Sequence, residues 1–86
     1  MIEKTFTIKN TTGLHARPAA QLVQKALNYK SIVKVKNGSI EGNARSLISI
    51  LSLGANRGST ITIIADGEDE LEAMEGILNL LSSFID

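Results

Sequence analysis

Ile2, Lys4, Phe6 and Ile8 occupy alternate positions of one face, the two-residue period of a half-buried strand. Residues 10–13, Asn-Thr-Thr-Gly, break that period. Beyond them Ala19, Leu22, Val23, Ala26 and Leu27 recur at intervals of three and four, with Gln21, Gln24, Lys25 and Asn28 opposite, which predicts a helix. Pro18 falls in its first turn, where a missing N–H costs nothing. Ile32, Val33 and Val35 lead into Asn37-Gly38 and then Ser39-Ile40-Glu41, two short strands joined at Asn-Gly, because both turn residues tolerate positive φ. Ser46 opens a short helix over Leu47-Ile48-Ser49-Ile50-Leu51-Ser52-Leu53, and Gly54 is placed to end it. The β-branched run Thr60-Ile61-Thr62-Ile63-Ile64-Ala65 predicts a strand. Asp66-Gly67 turns into a last helix with an apolar stripe of Leu71, Met74, Ile77, Leu78, Leu81 and Ile85. Glu68, Asp69 and Glu70 stand at its start, where the dipole favours carboxylates. Gly76 weakens this helix by about 1 kcal/mol relative to Ala. The order β-α-β-β-α-β-α predicts an α+β fold with its helices on one face of an antiparallel sheet.

The chain has 86 residues, the length of one small domain, and 43% of them are hydrophobic. With two Phe, one Tyr and no Trp, the core must be built from Ile, Leu, Val and Ala. Cysteine is absent and there is a single histidine, so neither a disulfide nor a zinc site is expected, and no cofactor. The first residues lack the basic and then apolar pattern of a signal peptide, and no apolar run approaches the ~20 residues that span a bilayer. A soluble cytoplasmic protein without membrane insertion is the expectation. Net charge is zero but uneven: residues 1–45 carry +6 and residues 46–86 carry −6. A phosphate or an acidic partner would be steered to the first half. Zero net charge and few aromatics to stack on bases argue against nucleic-acid binding. There is no glycine-rich phosphate loop.

The candidate chemistry lies where the first helix begins, in Thr12-Gly13-Leu14-His15-Ala16-Arg17-Pro18-Ala19-Ala20. A helix start leaves amides unpaired, and its dipole favours negative charge there. That environment disfavours the imidazolium, and the neutral ring is the nucleophilic form. A phosphoryl group on His15 would be held by the amides of Ala16 and Arg17 and by the Arg17 guanidinium. Imidazole leaves readily from phosphorus, so such a residue suits a relay. The second candidate is Ser46. Serine is a favoured N-cap on its own account. The helix behind it is apolar nearly all round, so part of it should stay exposed as a docking patch. A phosphate on Ser46 would place about −1.5 to −2 charges at the edge of that patch.

The segment Gly13 to Ala20 resembles the active-site signature of the histidine-containing phosphocarrier (HPr) family of the bacterial phosphoenolpyruvate:sugar phosphotransferase system. Ser46, Ser52-Leu53-Gly54 and the stretch from Ile61 to Glu70 extend the resemblance over nearly the whole chain. It implies an open-faced β-sandwich of four antiparallel strands under three helices. It also implies a carrier, with no catalysis of its own, that accepts a phosphoryl group from enzyme I at Nδ1 of His15 and passes it to a sugar-specific enzyme IIA, with Arg17 steadying the group. In Gram-positive-type members a kinase/phosphorylase also modifies the serine matching Ser46, giving a form that works with the catabolite control protein. Ala16, Ala20, Gln24, Leu47, Ile48 and Leu51 match the partner-docking surface, and a monomer is expected. The familiar Lys-Ser-Ile-Met-Gly around the regulatory serine is here Arg45-Ser46-Leu47-Ile48-Ser49. A related regulatory paralogue lacks the histidine that this chain keeps. The alternative is a module of that regulatory kind, serving catabolite repression or the nitrogen branch and acting mainly by binding.

Overall fold

The computed structural model describes residues 1–84. The elements are β1 (Ile2–Thr7), α1 (Ala16–Ala26), β2 (Ile32–Asn37), β3 (Ile40–Asn43), α2 (Leu47–Leu51), β4 (Thr60–Asp66) and α3 (Glu70–Ser83). All strands join one antiparallel sheet in the order β1-β4-β2-β3, with three helices on one face, as the pattern predicts. The last strand in sequence thus sits between the first and second.

Alternation along β4 decides the layering. Ile61, Ile63 and Ala65 are fully buried and share a face with their partners Val35 and Val33 on β2 and Phe6 and Ile2 on β1. Ile8 lies one residue past β1 yet continues the pattern: it is buried, and its amide donates to the Ser59 carbonyl at 2.9 Å. Against this face α1 lays Pro18, Ala19, Leu22 and Ala26, and α3 lays Ala73, Met74, Ile77 and Leu81. These small and branched side chains make up the fully buried core, and Phe6, Tyr29 and Phe84 pack half-buried against it.

Four expectations need correction. Leu27 and Leu71 are exposed, 57% and 73%. At 100° per residue Leu27 lies about 120° and Leu71 about 100° from the centre of the stripe its helix buries. Ala73, small enough to pass unnoticed among the polar residues, takes the buried place in α3. Ile85, expected on the same stripe, lies outside the described residues. The hairpin turn is Gly38-Ser39, one residue later than expected, since Asn37 pairs with Ile40 as part of the ladder. Only Gly38 needs positive φ (63°) there. Finally, α2 ends at Leu51, with Leu53 buried beyond it and Gly54 at φ 61°.

Gly42 explains how β3 passes beneath α2. A Cβ on Gly42 would stand 2.9 Å from the Ser49 carbonyl oxygen. The strand therefore lies against the helix backbone, and only Ile50 of α2 faces the core.

Candidate functional site

His15 is the N-cap residue of α1, in extended conformation (φ −128°, ψ 152°). Its side chain makes no capping hydrogen bond and is exposed. The first turn of α1 has no acidic residue, and Arg17, exposed in that turn, makes no ion pair among the described residues. Pro18 has no N–H, so the donors at this helix start are the amides of Ala16 and Arg17. Dipole and guanidinium both favour an anion here.

Ala16 has φ 44°, the one positive φ outside glycine among the described residues. Left-handed backbone costs a residue with a Cβ roughly 1–2 kcal/mol, so the neighbouring structure must hold it. That structure is the turn before it. The Gly13 amide donates to the Asn10 carbonyl at 3.2 Å, and the Asn10 side-chain amide donates back to the Gly13 carbonyl at 3.0 Å. The Leu14 amide donates to the Ala55 carbonyl at 2.9 Å. Gly13 (φ 63°) rests directly on the Ala55–Asn56 backbone, where a Cβ would come within 2.8 Å of the Asn56 Cα.

Two loops distant in sequence therefore meet at His15. Leu14, His15, Leu51, Gly54, Ala55 and Asn56 line an open cleft of about 160 Å³. The sequence marks Gly54 as a helix end within the family resemblance and Asn10 only as part of a break, and nothing in it marks Ala55 or Asn56, because their roles here arise from contacts between loops.

Leu51 belongs both to this cleft and to the outer side of α2, where Leu47, Ile48 and Leu51 are 42%, 77% and 37% exposed. An apolar patch is thus continuous with the histidine, as the all-round apolar helix suggests. On α1, Ala16 and Gln24 are exposed and Ala20 is half-buried. Ser46 is the N-cap of α2, its hydroxyl accepting from the Ser49 amide at 3.2 Å. The Ser49 hydroxyl in turn accepts from the Asn43 amide at 2.8 Å, and Arg45 donates to the Tyr29 carbonyl at 2.8 Å. Two of the four departures from the familiar serine pattern, Arg45 and Ser49, thus tie the start of α2 to its neighbours.

The carboxylates gather at the other end of α1. Asp69 accepts from the amides of Lys30 and Ser31 at 2.9 Å each, and Glu68 pairs with Lys30 at 3.0 Å. The Ser31 hydroxyl, with the Lys30 amide, holds the Asp69 carboxyl below its ordinary pKa. No cluster of metal-ligating side chains occurs among the described residues, and no described helix is long and apolar enough to cross a membrane.

Residues 2–83 match the family model described as the PTS HPr component phosphorylation site. The chain is 44% identical over 78 residues to the HPr-like protein Crh of Halalkalibacterium halodurans, covering 91% of this chain and 93% of the relative. It is 41% identical over 83 residues to the phosphocarrier protein HPr of Cupriavidus necator, covering 96% and 93%. Among solved structures, HPr-C-His of Thermoanaerobacter tengcongensis superimposes with a TM-score of 0.93 at 43% identity, covering 96% of this chain and 93% of that one. An HPr dimer from the same organism gives 0.77 at 43% identity, covering 96% and 95%. The histidine at an open helix start, the fold beneath it and these likenesses agree: this chain belongs to the HPr family of phosphotransferase-system phosphocarriers.

Proposed function

We propose that His15 is the phosphoryl acceptor of this carrier. A neutral imidazole attacks phosphorus through Nδ1, the N–P bond forms as the bond to phospho-enzyme I breaks, and the group later leaves to a sugar-specific enzyme IIA. The observation that carries this reading is the exposed, uncapped imidazole at the start of α1. The amides of Ala16 and Arg17 and the Arg17 guanidinium stabilise the added charge at the helix start. The partners dock over Ala16, Ala20, Gln24, Leu47, Ile48 and Leu51, a mixed apolar surface around the reacting atom. The protein acts in the cytoplasm as a monomer that presents this face to successive partners, with no catalysis outside those complexes. Sedimentation of the free protein tests the monomer, since a relative is known as a dimer.

The experiment is phosphorylation with phosphoenolpyruvate and purified enzyme I, read by intact mass before and after acid. One added phosphoryl group that acid removes supports His15, the only histidine. A protein that enzyme I leaves unlabelled overturns the carrier reading.

A second reading has its own observation. Ser46 caps α2 beside three exposed apolar side chains, and the chain is similar to a Crh protein. Here an HPr kinase/phosphorylase modifies Ser46, and the modified form meets a catabolite control protein. An acid-stable label from ATP and the kinase, absent from Ser46→Ala, tests it. The family's regulatory paralogue lacks the histidine, so the retained His15 favours the carrier.

A further inference from the structure

We infer that Asn10 is a positioning residue for phosphoryl transfer at His15, acting through the Gly13–Leu14 peptide unit. This inference rests on the carrier reading. The carbonyl of Gly13 and the N–H of Leu14 belong to one planar group. The carbonyl end accepts from the Asn10 Nδ2 at 3.0 Å, and the N–H end donates to the Ala55 carbonyl at 2.9 Å. That plane is clamped at both ends, one residue before the histidine. The Leu14 side chain is buried, which fixes what remains of the path to His15.

Asn10 directs its side chain into the turn that carries this plane. It is only 5% exposed, one of two buried polar residues among the described residues. Its Nδ2 also donates to the Thr12 hydroxyl at 3.3 Å, and its own carbonyl accepts from the Gly13 amide. The second half of the clamp is backbone, beyond the reach of substitution, so Asn10 is the half that a side-chain change can open. Without its amide, the Gly13 carbonyl loses its partner and the plane can rotate about the Leu14 N–H. Such rotation moves the imidazole and relaxes the strained φ of Ala16, both needed for alignment with a donor phosphorus. Asn10 touches neither phosphate nor partner in this scheme.

The test compares Asn10→Ala and Asn10→Asp with Ser31→Ala. The Asp variant keeps the side-chain shape but removes the N–H donors, and so guards against misfolding through a lost side chain. Ser31 is fully buried, bonded to Asp69 past the far end of α1, some 16 Å along that eleven-residue helix. All three variants should lower Tm by several degrees. Both Asn10 variants should slow the first-order step of transfer from phospho-enzyme I about tenfold, with KM for enzyme I within about twofold of the parent. Ser31→Ala should transfer at the parent rate. Parent-like transfer in either Asn10 variant overturns the inference, as does a loss confined to KM or one shared by Ser31→Ala. The parent protein separates the two claims: if it takes no phosphoryl group from enzyme I, the carrier reading fails first.

Discussion

The side-chain amide of Asn37 donates to the carbonyl of Leu53 at 2.9 Å, fastening the turn end of β2 to the loop two residues past α2. An Asn-Gly pair between two strands points to a turn centred on those two residues. Here the asparagine belongs to the ladder and spends its side chain on the loop after α2, one residue before Gly54 of the cleft at His15. The turn moves one residue on, to Gly38-Ser39, because Asn37 pairs with Ile40 in the ladder.

His15→Ala should abolish acceptance of a phosphoryl group from enzyme I while leaving the fold unchanged. The imidazole is exposed and caps nothing, so unfolding free energy should stay within about 0.5 kcal/mol of the parent. Intact mass after incubation with enzyme I, together with urea unfolding, checks both halves.

Gly13→Ala should be costly. It asks for a Cβ at φ 63° and against the Ala55–Asn56 backbone, which cannot step aside as a flexible side chain would. We expect a loss of about 3 kcal/mol in denaturant unfolding, from backbone strain and overpacking together.

Ser46→Ala removes the cap to the Ser49 amide and should cost about 1 kcal/mol. Ser46→Asp keeps a capping oxygen and adds a charge beside Leu47, so its stability should match the parent within a few tenths of a kcal/mol. Binding of enzyme I, measured by calorimetry, should weaken for Asp and stay unchanged for Ala.

Acid should expose the Asp69 anchor. The Ser31 hydroxyl and the Lys30 amide depress its carboxyl pKa, so its contribution is complete above the ordinary aspartate value and is lost as pH falls through the folded one. Unfolding of the parent and of Asp69→Asn should therefore differ most near neutral pH. The gap should narrow below about pH 4, the ordinary range of the unfolded carboxyl. A gap independent of pH would falsify this assignment.

Gly76→Ala inverts a propensity rule. Alanine is favoured over glycine inside a helix by about 1 kcal/mol, yet a Cβ at Gly76 would meet the Tyr29 hydroxyl and stand 3.0 Å from the Lys25 Cε. The substitution should bring no gain in the parent. In a Tyr29→Ala background it should stabilise by about 1 kcal/mol, a coupling that a double-mutant cycle by urea unfolding measures.

The order of elements, the fold class and the candidate histidine were all legible in the chain, because each depends on local information. Periodicity reports which face of an element is apolar. The helix start at His15 follows from the residues around it. The serine cap before α2 was legible for the same reason, and so was the exposure of that helix, which has more apolar side chains than one face can bury. What the chain alone could not decide depends on surfaces that meet only in three dimensions. Leu71 and Leu27 are apolar yet exposed, since the exact azimuth of a buried stripe is set by the neighbouring layer. Gly76 is a contact site for Tyr29, where the sequence shows only a poor helix former. Asn10 and Ala55, forty-five positions apart, hold opposite ends of one peptide plane. Hydrogen bonds between loops leave no period behind them, so only the tertiary structure decides how the histidine is held.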